Sequence, residues 1–254
     1  MLVRAEDRDA VRGFLDEDPV GNAFVWDRAF QMAPDARVFV DGVPPRAVLS
    51  VARPPWAHGD HGVGLRATDP QAARSVVDGL PSGPAFCHLA EEWTLPFVRE
   101  KARKIDAWPA WLFQLDPADF VDAQAHDTQP LTPDWAPRIA QAWSPDWPAE
   151  DLIRSRILGG PSFAAYQAGE PVAWAMTHFE TDRVSAMGFL HVLEGHRGKG
   201  YARSVACAFA KDILRRGKIP IAHVDVDNAP SLALTRGLGF REVKRQIWAE
   251  AIFL

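Results

Sequence analysis

Leu190-His191-Val192-Leu193-Glu194-Gly195-His196-Arg197-Gly198-Lys199-Gly200-Tyr201-Ala202 is the stretch whose reading decides the fold. An apolar run stops at Leu193, glycines punctuate the residues that follow, and apolar residues at helical spacing begin at Tyr201. Strand, turn and helix N-terminus in direct succession form the layout of an anion-binding site. The first N–H groups of a helix lack intrahelical acceptors, and the positive end of its dipole points the same way. Gly198 and Gly200 remove side chains where a backbone must approach an anion closely. Two better-known glycine motifs do not fit. No Gly-x-x-x-x-Gly-Lys-Ser/Thr occurs, and a Gly-x-Gly-x-x-Gly begun at Gly198 and Gly200 would need its third glycine at Arg203.

Working outward, Val184–Leu193 reads as the strand that feeds the turn, and Tyr201–Arg216 as the helix that leaves it. Ala202, Val205, Ala206, Phe209, Ile213 and Leu214 repeat at helical spacing; Arg215 and Arg216 load the negative dipole end, and Gly217 stops the helix. Ile219–Val226 is the next strand. Asn228-Ala229-Pro230-Ser231 has the chemistry of a cap and first turn for a helix to Leu238, ended by Gly239, and Phe240 opens a final strand region. Upstream, 134–143 and 149–158 are expected to be helices, and 163–167 and 171–177 strands around the turn Ala168-Gly169-Glu170.

The N-terminal half alternates in the same manner. Helices are expected at Ala5–Asp16, Asn22–Phe30, 69–78 and Leu95–Lys104. Strands are expected at Arg37–Val40, Ala47–Val51, Gly62–Arg66, Ala85–Leu89 and Trp108–Leu115. Residues 116–133 crowd Asp, Gln, Thr and Pro with few apolar side chains, the composition of a connection. The boundary is placed near residue 128, giving units 1–127 and 128–254. Two similar halves suggest an old duplication, with the glycine turn only in the second.

Bulk properties narrow the function classes. With 28 Lys and Arg against 33 Asp and Glu, the net charge is -5 and the basic runs Arg99–Lys104 and Arg215–Lys218 are short, so nucleic-acid binding is not expected. Cys87 and Cys207 are far apart and give neither a disulfide framework nor zinc spacing, which fits a reducing cytoplasm. The N-terminus is charged from Arg4 and has no apolar leader, and no run is long enough to span a membrane. His58-Gly59-Asp60-His61 lacks further ligands at metal spacing and reads as a polar loop; no metal is expected.

Arg197-x-x-Gly200-x-Ala202 resembles the pyrophosphate loop of the GNAT N-acyltransferase superfamily. Asn228-x-x-Ser231-x-x-Leu234-Thr235-x-x-Leu238-Gly239-Phe240 resembles a second segment of that family, in the family's order. The resemblance covers roughly residues 130–254. Gly169-Glu170-Pro171-Val172-Ala173-Trp174 and the two-unit layout look most like glycine N-acyltransferase-like members. The resemblance implies an α/β fold: a mixed, mostly antiparallel sheet flanked by helices, in two tandem GNAT-like units. It also implies an N-acyltransferase using acetyl-CoA or another acyl-CoA, with a small amine as acceptor in preference to a protein. Direct attack by the amine is the implied chemistry, in a monomer or homodimer. A non-catalytic acyl-CoA-binding module on the same fold is the alternative.

Carried over by residue, the main chain of Leu190, His191 and Val192 would pair with the pantetheine arm. Arg197, Gly198, Lys199, Gly200, Tyr201, Ala202 and Arg203 would hold the diphosphate. Asn228 and Ser231 would flank the thiol end, although a plain helix cap explains Asn228 equally and packing explains Ser231. Two departures stand out. Thr235 occupies the position of the family's tyrosine acid, and the strand before the turn offers Ala186 and Gly188 where members carry a carboxylate. The base is then sought at His223, with Asp225 on the same strand face to orient it. His191, His178 and Glu180 are the other candidates. Trp143 and Trp147 either line an acceptor pocket or pack in the core.

Overall fold

The computed structural model describes residues 3–4, 7–32 and 35–254. Contacts divide the chain into two units, Met1–Leu112 together with Val243–Leu254, and Phe113–Glu242. Each unit is a mostly antiparallel sheet with helices packed on it.

Unit 1 runs β1 (Val3–Arg4), α1 (Arg8–Asp16), α2 (Ala23–Phe30), β2 (Arg37–Val40), β3 (Ala47–Ala52), β4 (His61–Ala67), α3 (Pro70–Val76), β5 (Gly83–Leu89), α4 (Leu95–Arg99) and β6 (Ala102–Gln114), whose last residues pass into unit 2. Strands β1 to β4 pair in sequence order, all antiparallel, and β5 joins β4 in parallel. Residues 247–253, in the last strand β12 (Arg241–Phe253), then pair antiparallel with β5 from Ile247↔Leu89 to Phe253↔Gly83. Ile247, Ala249, Ala251 and Phe253 alternate into the same core as Leu49, Val63, Leu65, Cys87 and Leu89, so the period-two pattern of that strand is spent on unit 1.

Unit 2 repeats the order with β7 (Gln129–Pro130), α5 (Ala136–Trp143), α6 (Glu150–Gly159), β8 (Ser162–Gln167), β9 (Glu170–Glu180), β10 (Val184–Val192), α7 (Tyr201–Arg215), β11 (Ile219–Asp225) and α8 (Ala229–Gly237). Strands β7 to β10 are antiparallel neighbours and β11 is parallel to β10. One core gathers Ile139, Ile153, Ile157, Trp174 and Met176 between α5, α6 and the sheet. Deleting so large a buried side chain as Trp174 typically costs about 3–5 kcal/mol. Helix α7 packs on β8, β9 and β10. Val205, Phe209 and Ile213, the residues whose spacing marked the helix, are fully buried.

Most expected elements are present, with shifted ends. The helix expected at Ala5–Asp16 starts at Arg8, where Asp7 caps it by accepting the Ala10 N–H at 2.9 Å; Ala5 and Glu6 lie outside the described residues. The helix expected over Leu95–Lys104 is a correction. It stops at Arg99, and Ala102–Lys104 belong to β6. Ala102, Ile105 and Ala107 pack on the unit 1 core, so tertiary burial decides the conformation there over a helix-permissive local sequence.

Candidate active site where β10 leaves β11

The two parallel strands of unit 2 pair only briefly. Val184–Met187 of β10 lie beside Ile219–Ala222 of β11, and β10 then departs. The cause is written in β10 and its other neighbour, β9. The β9–β10 register shifts between Ala186 and Met187 and again between Gly188 and His191. Gly188 is required where the second shift begins, since a Cβ there would fall 2.7 Å from the Cβ of His178. Phe189 sits in the left-handed region, φ 54°, an uncommon conformation for a bulky residue. Past this bulge His191 is again opposite Trp174 and Val192 opposite Ala173.

Hydrogen bonding then alternates. The Leu193 N–H donates to Val172 O at 2.9 Å, so Leu193 and, two residues back, His191 turn their main chain toward β9. Val192, between them, turns its N–H and C=O to the side that β11 has vacated, and the Leu190 C=O, opposite the His191 N–H across their shared trans peptide, points the same way. The Val192 carbonyl accepts from Arg197 Nε at 3.2 Å, which draws the arginine across the end of this opening. Of the three residues expected to face a pantetheine arm, Leu190 and Val192 present main-chain groups to the opening. His191 pairs with Trp174 instead.

A single 3-10 turn, Glu194–His196, follows, and then the glycine turn. Gly198 has φ 73° and Gly200 φ 86°, a region that glycine enters at little cost. Gly200 is the N-cap of α7 and offers no capping side chain. By helix geometry the N–H groups of Tyr201, Ala202 and Arg203 have no intrahelical acceptor. A Cβ on Gly198 would meet no atom within 4 Å, so the turn is open. Arg197, Lys199 and Arg203 are exposed around it, and Lys199 Nζ donates to Gly195 O at 2.9 Å. Backbone donors and the dipole of a fifteen-residue helix thus meet at an open turn that carries three exposed cations, a setting suited to an anion.

Four candidate bases occupy distinct settings. His223 is half-buried and is the first residue of β11 beyond Ala222, the last to pair with β10, so it stands where the strands part. Its ring centroid is 6.0 Å from that of Phe179. Asp225 Oδ1 accepts the Asp227 N–H at 2.8 Å, forming the turn that leads to α8. His191 stacks on Trp174 with centroids 5.0 Å apart. Burial, and next the positive charge of Arg197, hold its imidazole below the usual histidine pKa and keep it neutral. His178 meets the Phe189 ring edge-on at 5.6 Å, and the Trp143 ring centroid lies 4.9 Å from that of Phe189. Glu180 is engaged by the Lys218 ammonium and by Ser185 Oγ at 2.9 Å.

In α8 the Asn228 Oδ1 accepts the Ser231 N–H at 3.2 Å, the bond of a helix cap. Ser231 is half-buried, and Thr235 is 2% exposed and packed into the helix underside. Trp143 remains partly exposed beside Phe189, whereas Trp147 packs against the unit 2 core. Sequence reasoning missed the segment 121–126, which lies along the start of α7: His126 stacks on Tyr201 at 4.0 Å and bonds Lys199 O. Its only sequence signal was a histidine in a connection. It also missed Phe189, whose backbone conformation no residue type announces.

Among the described residues no group of three His, Cys, Asp or Glu side chains is placed to hold a metal ion, and no helix is long and apolar enough to cross a membrane. His61, expected in a polar loop, is instead the buried first residue of β4 and accepts from Arg53 Nε at 2.9 Å.

Residues 165–249 match the family model described as FR47-like protein. No curated protein sequence matches the chain. Among solved structures, a Drosophila protein superposes with a TM-score of 0.75 at 14% identity, covering 99% of this chain and 98% of that one. A GCN5-related N-acetyltransferase from Kribbella flavida gives 0.64 at 13% identity over 92% and 95% of the two chains. A tandem GNAT protein from the clavulanic acid biosynthesis pathway gives 0.59 at 14% identity over 100% and 99%. At these identities the likeness is one of fold, and the fold of this chain is that of tandem GNAT proteins.

Proposed function

We propose that the chain is an N-acyltransferase that takes an acyl group, acetyl first, from CoA and passes it to a small amine. The carrying observation is the continuity of two features: an opening between β10 and β11 faced by the Val192 main chain, leading to an uncapped glycine turn at the start of α7. An extended pantetheine arm fits the first as an added strand, and its diphosphate fits the second. The FR47-like match over residues 165–249 spans both. The site residues are those of the turn, Arg197 to Arg203, with Leu190 and Val192 for the arm and Asn228 and Ser231 at the start of α8.

In the reaction the amine nitrogen attacks the thioester carbonyl carbon, and the oxyanion that forms takes a hydrogen bond from the Val192 N–H in the opening. The C–S bond breaks, leaving an amide and the CoA thiolate. The proton lost by nitrogen passes to His223 at the fork, directly or through one water. Solvent returns a proton to the thiolate, because Thr235 is buried and a poor acid.

The test is CoA binding by titration calorimetry, followed by thiol release from acetyl-CoA with a panel of small amines. Saturable binding with thiol release above background is the expected result, and absence of CoA binding sinks the proposal. A second reading, a regulatory module that binds acyl-CoA without turnover, draws on buried Thr235 and on Glu180 being engaged by Lys218. Tight binding with no release across the panel would select it.

A further inference from the structure

The segment that connects β6 to β7 runs along α7 before β7 begins, and its last residues bond the back of the glycine turn. His126 Nε2 lies 2.6 Å from Lys199 O, in the donor position, with its ring stacked on Tyr201. The N–H groups of Ala125 and His126 donate to Ser204 Oγ at 3.1 and 3.0 Å. That hydroxyl in turn donates to Gly200 O at 3.2 Å, beside the Ser204 N–H that reaches the same carbonyl at 3.1 Å. Ser204 is fully buried, so its hydroxyl has no solvent to turn toward. Farther along the helix, Ala123 N–H meets Cys207 Sγ at 3.4 Å, and Asp122 pairs with Lys211 at 2.6 Å.

Two carbonyls of the turn are therefore pinned, those of Lys199 and Gly200. In a trans peptide the C=O of one residue and the N–H of the next point in opposite directions. Fixing Lys199 O against His126 aims the Gly200 N–H away from His126, and fixing Gly200 O against Ser204 aims the Tyr201 N–H away from the helix. Left free, a turn with two glycines at positive φ could rotate both peptide planes, since glycine carries no Cβ to oppose it. We propose that His126 and Ser204 form a latch that orients the Gly200 and Tyr201 amides toward the diphosphate of acyl-CoA. Both act as positioning residues, through the turn. This rests on the acyl-CoA reading of the same site.

The experiment compares wild type, His126→Ala, His126→Gln and Ser204→Ala in CoA titration and in steady-state acyl transfer, with S-acetylpantetheine as a donor that has no diphosphate. His126→Ala is expected to raise the acetyl-CoA KM and the CoA Kd about tenfold, the scale of one hydrogen bond, with kcat near wild type. His126→Gln, whose amide nitrogen reaches the imidazole Nε2 position, restores most of that affinity. Ser204→Ala weakens CoA in the same direction, and S-acetylpantetheine kinetics are unchanged in all three. Wild-type CoA affinity in both His126→Ala and Ser204→Ala overturns the latch, as does a fall in kcat with KM unmoved or an equal loss with S-acetylpantetheine. A wild-type chain that does not bind CoA overturns the acyl-CoA reading itself, a result visible before any variant is made.

Discussion

The same junction, from a strand into a helix and back to a parallel strand, is built twice and finished in opposite ways. In unit 1, β4 and β5 stay paired from His61↔Ala85 to Leu65↔Leu89, and Ala90 N–H extends the ladder to Leu65 O at 2.9 Å. Only Thr68 and Asp69 separate β4 from α3, and Asp69 caps the helix, its Oδ1 accepting from Gln71 and Ala72 N–H at 3.0 and 2.9 Å. The donors at that helix start have an anion supplied by the chain. In unit 2, β10 bulges away from β11, an eight-residue turn with two glycines at positive φ replaces the two-residue link, and no side chain caps α7. A helix N-terminus is left available to an external anion when the chain withholds its own carboxylate and opens the strands beside it.

Breaking the contrast directly should have the largest effect. Gly200→Asp gives unit 2 the carboxylate that unit 1 carries, at a left-handed position that Asp tolerates better than most residues. Like charges brought together cost several kcal/mol, so CoA affinity is expected to fall by at least about 100-fold. Gly195→Ala in the same loop is the control, since its Cβ would meet nothing within 4 Å. Calorimetry on both variants checks this: equal CoA affinity would mean that the anion does not sit on the glycine turn.

The fork itself offers the next test. His223 stands where β11 parts from β10, whereas its counterparts on β5 remain in a continuous ladder. His223→Ala should lower kcat by on the order of 100-fold, the scale of a removed general base. The loss should be greatest at mildly alkaline pH, where the imidazole is neutral, and narrow as pH falls and the wild-type base protonates. Parallel pH–rate profiles for wild type and variant would transfer the role elsewhere, with His191 next in line.

What the sequence disclosed follows from what each feature depends on. Helix α7 was readable because Val205, Phe209 and Ile213 must recur at 3.6-residue spacing to reach the sheet, and the turn was readable because only glycine enters positive φ freely. The resemblance in Arg197-x-x-Gly200-x-Ala202 then ordered the fold around it. The bulge at Phe189 was not readable, because its backbone is set by register with β9 and not by its own side chain. Nor was the pairing of Ile247–Phe253 with β5, since an alternating strand does not name its neighbour. The latch at His126 depends on a contact with Lys199, 73 residues away, which no local pattern encodes.

The neutral state of His191 gives a smaller, purely thermodynamic signature. Its folded pKa is depressed by burial and by Arg197, so the unfolded chain binds the proton more readily. The stabilisation is therefore complete above the unfolded histidine pKa of about 6.5 and is lost as pH falls below it toward the folded value. Urea unfolding of wild type and His191→Gln at about pH 7.5 and pH 5.5 should show the wild type losing more of its midpoint on acidification. An identical acid loss in the two proteins would place the titrating group elsewhere.

The smallest expected effect is on the capped side of the contrast. Asp69→Ala frees the N–H groups of Gln71 and Ala72 at a half-buried position that water can still reach, so the unit 1 fold should survive with a modest drop in melting temperature. The Asp69 carboxyl is held below the usual carboxylate range, first by the Ala72 N–H and also by Arg46 at 3.3 Å. Its contribution is thus present above about pH 4 and disappears as pH drops through the folded pKa, so wild type and variant should converge in acid. Exposing these donors should not create a second CoA site, because β4 and β5 stay paired and leave no opening for a pantetheine arm. Calorimetry of Asp69→Ala with CoA should return the wild-type number of sites; an additional site would show that an uncapped helix start suffices and that the splayed strands are dispensable.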